Sequence, residues 1–368
     1  MSLQERIIAA IDLQALARNY RILRKAARGA RLMAVVKADA YGHGAAAVSA
    51  KLEEMGIDWL AVRTADEAAA LRGAGLTRPV LILGRTPPER AAEMAALNVT
   101  LTVTGPEHAA ELSDAAERGG FRARAHFKLD TGMSRLGFAG ADELAAWLGR
   151  PGLIAEGLYT HLAVSDEPED AFTRVQLERF TAAREKLARL GHIFQFTHCA
   201  NSGGMIHFRE ADPSDLIRTG LALYGYEPGP GGGLDLRPVM SLWTSVAMVR
   251  TVRAGETVSY GRRWTAGRDT RVAVLQCGYA DGYPRALSNK GEILLRGKRC
   301  PVVGTVCMDL MMADVTQVPG AAAGDPALLF GESGDGALPL YELAEKAGTI
   351  PYELLCAVNA RIPRTIQG

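Results

Sequence analysis

Hydrophobic positions in the first two thirds of the chain fall into two alternating patterns. Short β-branched or apolar runs appear at "LMAVVK" from Leu32, "WLAVRT" from Trp59, "PVLILG" from Pro79, "VTLTVT" from Val99, "RARAHFKLD" from Arg122, "LIAEGLYTH" from Leu153, "FQFTHC" from Phe194 and "DLIRTGLALYG" from Asp215. Between them lie Ala/Leu/Glu/Arg-rich stretches of helical period, such as "GAAAVSAKLEEMG", "DEAAALRGAG", "PERAAEMAAL" and "RVQLERFTAAREKLARLG". Eight strands alternating with helices predict an α/β fold, a (β/α)8 TIM-type barrel, with an open doubly wound sheet as the alternative. After Tyr226 the pattern breaks: "EPGPGGGLDLRP" reads as a linker. Beyond it come short β-type runs ("SLWTSVAMVRTV", "TVSYG", "RVAVLQCGY", "GEILLRGKRCPVVGTVCM", "PALLFG") and one helical stretch, "LPLYELAEKAG". The expected organisation is therefore a barrel over 10–232 and a mostly-β domain over 233–368, with residues 1–9 pairing into the second.

The length of 368 residues exceeds what one ordinary core supports, which suits a large barrel or two domains. A hydrophobic share of 48% against 23% charged residues is globular and argues against disorder. The formal charge is +1 and no basic run occurs, so nucleic acid is not expected as a partner and a small molecule is. No segment reaches the roughly 18 apolar residues of a membrane span. The five cysteines (Cys199, Cys277, Cys300, Cys307, Cys356) form no CxxC pair, as expected of reduced thiols in a cytoplasmic protein. No HxH or HExxH spacing predicts a metal, and no dinucleotide GxGxxG or Walker pattern occurs.

In a (β/α)8 barrel the reactive groups lie at the C-terminal ends of the strands. The unusual polar residues here fall at those ends: Lys37 after strand 1; Asp130, Thr131 and Arg135 after strand 5; His161 after strand 6; Asn201 and Ser202 after strand 7; Arg218 and Gly220 in strand 8. A lysine at a strand end is ordinarily a solvated terminus. Backbone N–H groups beside Ser202 and Gly220 would, however, bind a phosphate dianion, and Lys37 could then reach the other end of a phosphorylated cofactor. That set asks for pyridoxal phosphate, which needs a lysine, a phosphate cup, a partner for the pyridine nitrogen and a side chain on the ring face.

The stretches "VVKADAYGHG", "KLDTGMSRLGF", "THCANS", "IRTGLALYG", "VSYGRRW", "GYADGYPR", "GTVCMDLMM" and "PYELLCAVNARIPR" resemble the alanine racemases, in order and over nearly the whole chain. The resemblance implies L- and D-alanine as substrate and product, a two-base mechanism on pyridoxal phosphate, and D-alanine supply for peptidoglycan. It implies that Lys37 carries the cofactor and is one base, and that Tyr260, from the partner subunit of a head-to-tail homodimer, is the other. Tyr41, Ser202, Gly220 and Tyr352 would hold the phosphate, His161 would pack on the ring, and Arg218, supported by His198 beside Asn201, would face the pyridine nitrogen. Arg135 and the Met308 N–H would meet the substrate carboxylate, with Asp309 and Tyr279 completing the wall.

Strand alternation places Arg122, Arg124, His126, Lys128 and Asp130 on one face, where a lysine beside arginines is costly. Many family members carry a carbamylated lysine at the position of Lys128, so the same is expected here. Thr219 stands where proline is common in the family, and Asp39 where asparagine is. A broad-specificity or serine racemase and a non-catalytic cofactor carrier are the alternative functions. Taken singly, Ser202 with Gly203 and Gly204 is an ordinary turn, Arg218 a partner for Asp215, and His43, His108, His126, His192 and His207 core or surface histidines. Their joint occurrence in order carries the reading.

Overall fold

The computed structural model describes residues 6–229 and 231–367. The chain divides into two compact units, one of residues 16–40 and 45–237, the other of the described residues in 1–15, 41–44 and 238–368. Residues 1–5 of the expected N-terminal pairing stretch lie outside the described part.

The first unit is an eight-stranded parallel sheet: β1 (Arg31–Val35), β2 (Trp59–Val62), β3 (Val80–Ile82), β4 (Val99–Val103), β5 (Ala123–Lys128), β6 (Leu153–Tyr159), β7 (Phe196–His198) and β8 (Leu216–Thr219). Each strand pairs with the next up to β7, and β1 pairs with β8, Arg31 opposite Leu216. Only β7 and β8 lack a ladder, and there Arg218 N–H donates to Ala200 O at 3.0 Å. All eight expected strands are present, and the barrel is nearly closed. The strands β2, β3 and β4 are buried at every position, as expected where helices cover one face of a parallel sheet and barrel side chains the other.

Two strand ends depart from the expected lengths. The β8 ladder stops at Thr219, and "LALY" winds instead into a 3-10 turn, Leu221–Tyr224, ended by Gly225 at φ 98°. The β1–β8 pairing has by then run out of partners, and the Tyr224 hydroxyl donates to Val35 O (2.9 Å), folding the chain back over the end of β1. On the other side, β1 ends at Val35, two residues before Lys37.

The second unit is built on the long strand Met240–Val252. It pairs antiparallel with Ile7–Asp12, Thr270–Leu275 and Pro326–Ser333, and Ile7–Asp12 pairs on its other side, in parallel, with Arg364–Gln367. The segment "TVSYG" forms only a two-residue ladder, Thr257–Val258, because Ser259 turns to φ 68°. A hairpin, Glu292–Leu295 with Lys298–Pro301, turns through Arg296 and Gly297, both at positive φ. The strand Met311–Asp314 and the helix Pro351–Ala357 are short enough to escape periodicity; the predicted helix at "LPLYELAEKAG" is Leu340–Ala347. Among the described residues no helix is long and apolar enough to cross a membrane.

Candidate active site

Lys37 opens a left-handed helical turn. Ala38, Asp39, Ala40 and Tyr41 all have φ between 52° and 54°, and Gly42 follows at 79°. L-residues pay about 1–2 kcal/mol each for this conformation, which is why it is rarely seen over more than one residue. It persists only where the surroundings over-determine it. Here Ala40 N–H donates to Val36 O (2.9 Å), Ala38 N–H to Glu67 Oε1 (2.7 Å) and Ala45 N–H to Asp39 Oδ1 (2.7 Å). The short acceptor side chain of Asp39, a residue type that tolerates this region, closes the turn from inside.

Inside the barrel, Arg218 is buried and its guanidinium is bonded through both terminal nitrogens. Nη1 donates to His198 Nδ1 (2.6 Å) and His198 O (3.0 Å); Nη2 donates to Thr160 O and Cys199 O (both 2.8 Å) and to His161 Nδ1 (3.2 Å). Among the described residues no protein acceptor takes its Nε–H. Asp215, the structural partner that sequence proximity offers, instead accepts Thr197 N–H at 2.9 Å. Burial, then the charge of Arg218, pushes His198 and His161 well below the usual histidine range, so both rings are neutral near pH 7. Arginine can only donate, so His198 Nδ1 accepts and its proton is on Nε2, which donates to His126 Nδ1 at 2.8 Å. Tyr159 stacks on His198 at 4.5 Å and 8° and exchanges a hydrogen bond with Thr102. Gly157, where a Cβ would approach the His126 ring to 2.6 Å, leaves room for that imidazole.

Lys128 is also buried. Arg122 and Arg124, its expected neighbours on the strand, are exposed; the cations that act on it most are Arg135 and Arg218, with Arg63 contributing less. Burial, followed by those two charges, lowers its pKa from 10.5 to about 8. The native state then binds fewer protons than the unfolded chain between these values. An unmodified Lys128 would therefore destabilise the fold below pH 8 and do so progressively less as pH rises toward 10.5. Asp130 does not neutralise the cluster by contact, since its Oδ1 accepts Gly132 N–H (2.9 Å) and Ser134 N–H (3.1 Å) and shapes the loop that carries exposed Arg135. Neither arginine has a carboxylate within bonding distance among the described residues.

At the end of β7, Asn201 caps the short helix Ser202–His207, accepting Gly204 N–H at 2.9 Å. Ser202 Oγ accepts Gly220 N–H at 3.0 Å, so the ends of β7 and β8 meet at these two residues.

The second unit holds the remaining expected residues. Tyr41 and Tyr352 lie with ring centroids 5.9 Å apart, and burial, then Tyr352, raises the Tyr41 pKa, so its phenol stays protonated and can donate. Tyr260 is 72% exposed on a tight loop between Ser259 and Gly261, both at positive φ. Its carbonyl accepts Thr305 Oγ1 (2.8 Å), and Ser259 Oγ donates to Thr305 O (2.6 Å). Arg262, beside it, directs Nε to Thr257 Oγ1 (3.0 Å). The loops of Tyr279 and Met308 are stitched together, Tyr279 N–H to Cys307 O (2.9 Å) and Ala280 N–H to Met308 O (3.0 Å). At Gly278 any Cβ would meet the Cys307 and Met308 carbonyls at 2.3 Å. Buried Asp281 anchors these loops by accepting from Arg6, from Arg361 at 2.8 Å and from Gly278 N–H at 3.0 Å, while Arg361 also pairs with Asp309 at 3.0 Å. The Met308 amide donates to no protein acceptor among the described residues. Tyr260, Met308, Asp309 and Leu310 line an open groove of about 980 Å³ on this unit.

Sequence reasoning missed His126, Tyr159, Tyr224 and Glu67 as parts of the site's support. Tyr159 ends β6 two residues before His161, and His126 lies two residues before Lys128 on the same strand, so both could have been found from spacing; Tyr224 and Glu67 come from other elements and leave no local signal.

Two family models cover nearly the whole chain, the N-terminal domain of alanine racemase over residues 11–228 and its C-terminal domain over 239–366. The chain is 42% identical over 371 residues to the alanine racemase of Desulfovibrio desulfuricans, covering 99% of both chains. It is 44% identical over 371 residues to that of Citrifermentans bemidjiense, covering 98% of both. Among solved structures, the alanine racemase of the D-cycloserine producer Streptomyces lavendulae matches with a TM-score of 0.94 at 36% identity, over 99% of this chain and 97% of that one. The Bacillus anthracis enzyme with bound L-Ala-P matches at 0.92 and 33%, over 100% and 96%.

Proposed function

The chain belongs to the alanine racemase family, pyridoxal-phosphate enzymes of fold-type III that interconvert L- and D-alanine, and from that premise we propose which of its residues perform the reaction. The observation that carries the assignment is Arg218, a buried cation held by carbonyls and neutral imidazoles with its Nε–H unspent. The donor set fits the cofactor: a donating group for the ring nitrogen, a neutral His161 beside it, and the hydroxyls of Ser202, Tyr41 and Tyr352 as donors for a phosphate, with Gly220, whose N–H is taken by Ser202 Oγ, beside Ser202 at the strand ends. When bound, pyridoxal phosphate supplies the electron sink that stabilises negative charge at the substrate α-carbon.

Lys37 carries the cofactor and moves a proton on one face of the α-carbon. Tyr260 of the partner subunit moves it on the other, because inversion in both directions needs a base and an acid on opposite sides. Arg218 can only donate, so a pyridine nitrogen held beside it would stay unprotonated, which would make the ring a weaker electron sink and favour reprotonation at the α-carbon. Arg135 and the Met308 N–H receive the substrate carboxylate, with Tyr279 and Asp309 beside them. The proposed cofactor domain is 10–232 and the proposed β-rich domain 233–368; residues 10–15 and 41–44 belong to the second compact unit and residues 233–237 to the first. The exposed Tyr260, Met308 and Leu310 around the open groove support a head-to-tail homodimer with shared sites. Five free cysteines support a cytoplasmic location, where D-alanine is supplied for peptidoglycan.

The test is the circular dichroism of L-alanine with purified protein and pyridoxal phosphate, beside L-serine. The expected result is decay to zero for alanine, much slower decay for serine, and specific activity that falls on dilution as the dimer dissociates. Constant activity down to a demonstrably monomeric sample would sink the shared site.

Lys128 is proposed to be carbamylated. Carbamylation replaces a buried cation with an anion between two arginines that have no carboxylate partner. Native mass spectrometry is expected to show the Lys128 peptide heavier by one CO2, lost on acidification. A native spectrum with only unmodified lysine refutes it.

A further inference from the structure

We propose that Glu67 is a positioning residue for Lys37, acting through the peptide that follows it; the inference rests on the assignment of Lys37 as the cofactor-bearing lysine. Glu67 is the third residue of the helix Ala65–Gly73 and forms a capping box with Thr64. Thr64 Oγ1 accepts Glu67 N–H (3.2 Å), and Glu67 Oε2 accepts Thr64 N–H (3.1 Å). A capping box uses the carboxylate for one N–H. This carboxylate takes three. Oε2 also accepts Arg63 N–H at 2.6 Å, and Oε1 turns away from its own helix to accept Ala38 N–H at 2.7 Å.

The Ala38 N–H belongs to the peptide bond that leaves Lys37, so holding it holds the Lys37 backbone and the direction in which its side chain departs. It is also the first amide of the left-handed turn, the part of the chain least able to keep its conformation unaided. The end of β1 is fixed from other directions as well: Val36 N–H donates to Ala61 O (2.8 Å), and Tyr224 Oη to Val35 O (2.9 Å). Those bonds stop before Lys37. Glu67 secures the far side, with a charge-assisted bond rather than a neutral one. A carboxylate is required because both oxygens must accept. Glutamine would present an amide N–H to either Ala38 or the Arg63–Thr64 pair.

Glu67→Gln and Glu67→Ala are compared with Thr64→Ala, which removes the other half of the same cap and leaves the carboxylate in place. Each protein is loaded with pyridoxal phosphate, reduced with borohydride, and the fraction of Lys37 captured is read by peptide mass spectrometry across cofactor concentrations. Amide exchange at 38–41 is read without cofactor, and kcat and KM for L-alanine with it. Both Glu67 variants are expected to need about 10-fold more cofactor for half capture, to exchange faster at 38–41, and to lose about 10–100-fold in kcat with little change in KM. Thr64→Ala is expected to lower the melting temperature without moving these readouts.

Glu67 variants that match wild type, or that match Thr64→Ala in capture and kcat, overturn the proposal while capture at Lys37 keeps the cofactor assignment. Capture in the wild type at another lysine overturns both.

Discussion

Lys37→Ala removes covalent attachment of the cofactor and lowers racemisation by about 10⁴-fold or more, because one change deletes both the anchor and a proton-transferring group. The fold is expected to survive. The bonds that shape this segment run through the backbone of Val36, Ala38 and Ala40, none of which needs the lysine side chain. Loss of turnover with an unchanged melting temperature therefore reports chemistry. The measurement is the decay of L-alanine ellipticity together with borohydride capture. A variant keeping more than about a tenth of wild-type turnover would remove Lys37 from the mechanism.

The second large effect separates the two faces of the reaction. Tyr260→Phe deletes a hydroxyl from a side chain that is 72% exposed on its own unit and whose backbone is set by Ser259 and Thr305. Stability should hardly change. Racemisation should fall about 10²–10⁴-fold. With Lys37 intact, exchange of the α-hydrogen in deuterated water should persist for one enantiomer, without inversion. Equal loss of exchange for both enantiomers, or full racemisation in the variant, would show that Tyr260 is not the second base.

The barrel was legible because its strands are buried on both faces and its helices on one, which gives two distinct periods. The positions of Lys37, His161, Ser202 and Arg218 at strand ends followed from that alternation. What those ends do was not legible. Little in "KADAY" beyond Asp39 announces a left-handed turn, and one of the bonds that hold it comes from Glu67, on a helix 29 residues away. The expected cation neighbours of Lys128 were Arg122 and Arg124, because alternation sees only one strand. Arg124 leaves the interior for solvent, and Arg218 approaches from across the barrel. The reach of Arg218 to His126 through His198 joins three strands distant in sequence, a relation that no local pattern encodes. In the second unit short strands such as Met311–Asp314 are set by pairing with Thr270–Leu275, which one-dimensional periodicity cannot show.

The strand Ile7–Asp12 lies between Met240–Val252 and Arg364–Gln367, and this arrangement bears on synthesis. Ile7–Asp12 emerges from the ribosome before every partner it will pair with. At about 5–20 residues per second it waits roughly 10–50 s for the long strand and longer for Arg364–Gln367. During that time the barrel can fold, but the β-rich unit is left with an apolar, unpaired strand at its N-terminal end. A ribosome stalled after the barrel would hold a folded cofactor domain with that strand still open, so nascent-chain capture by holding chaperones should persist until translation passes Val252.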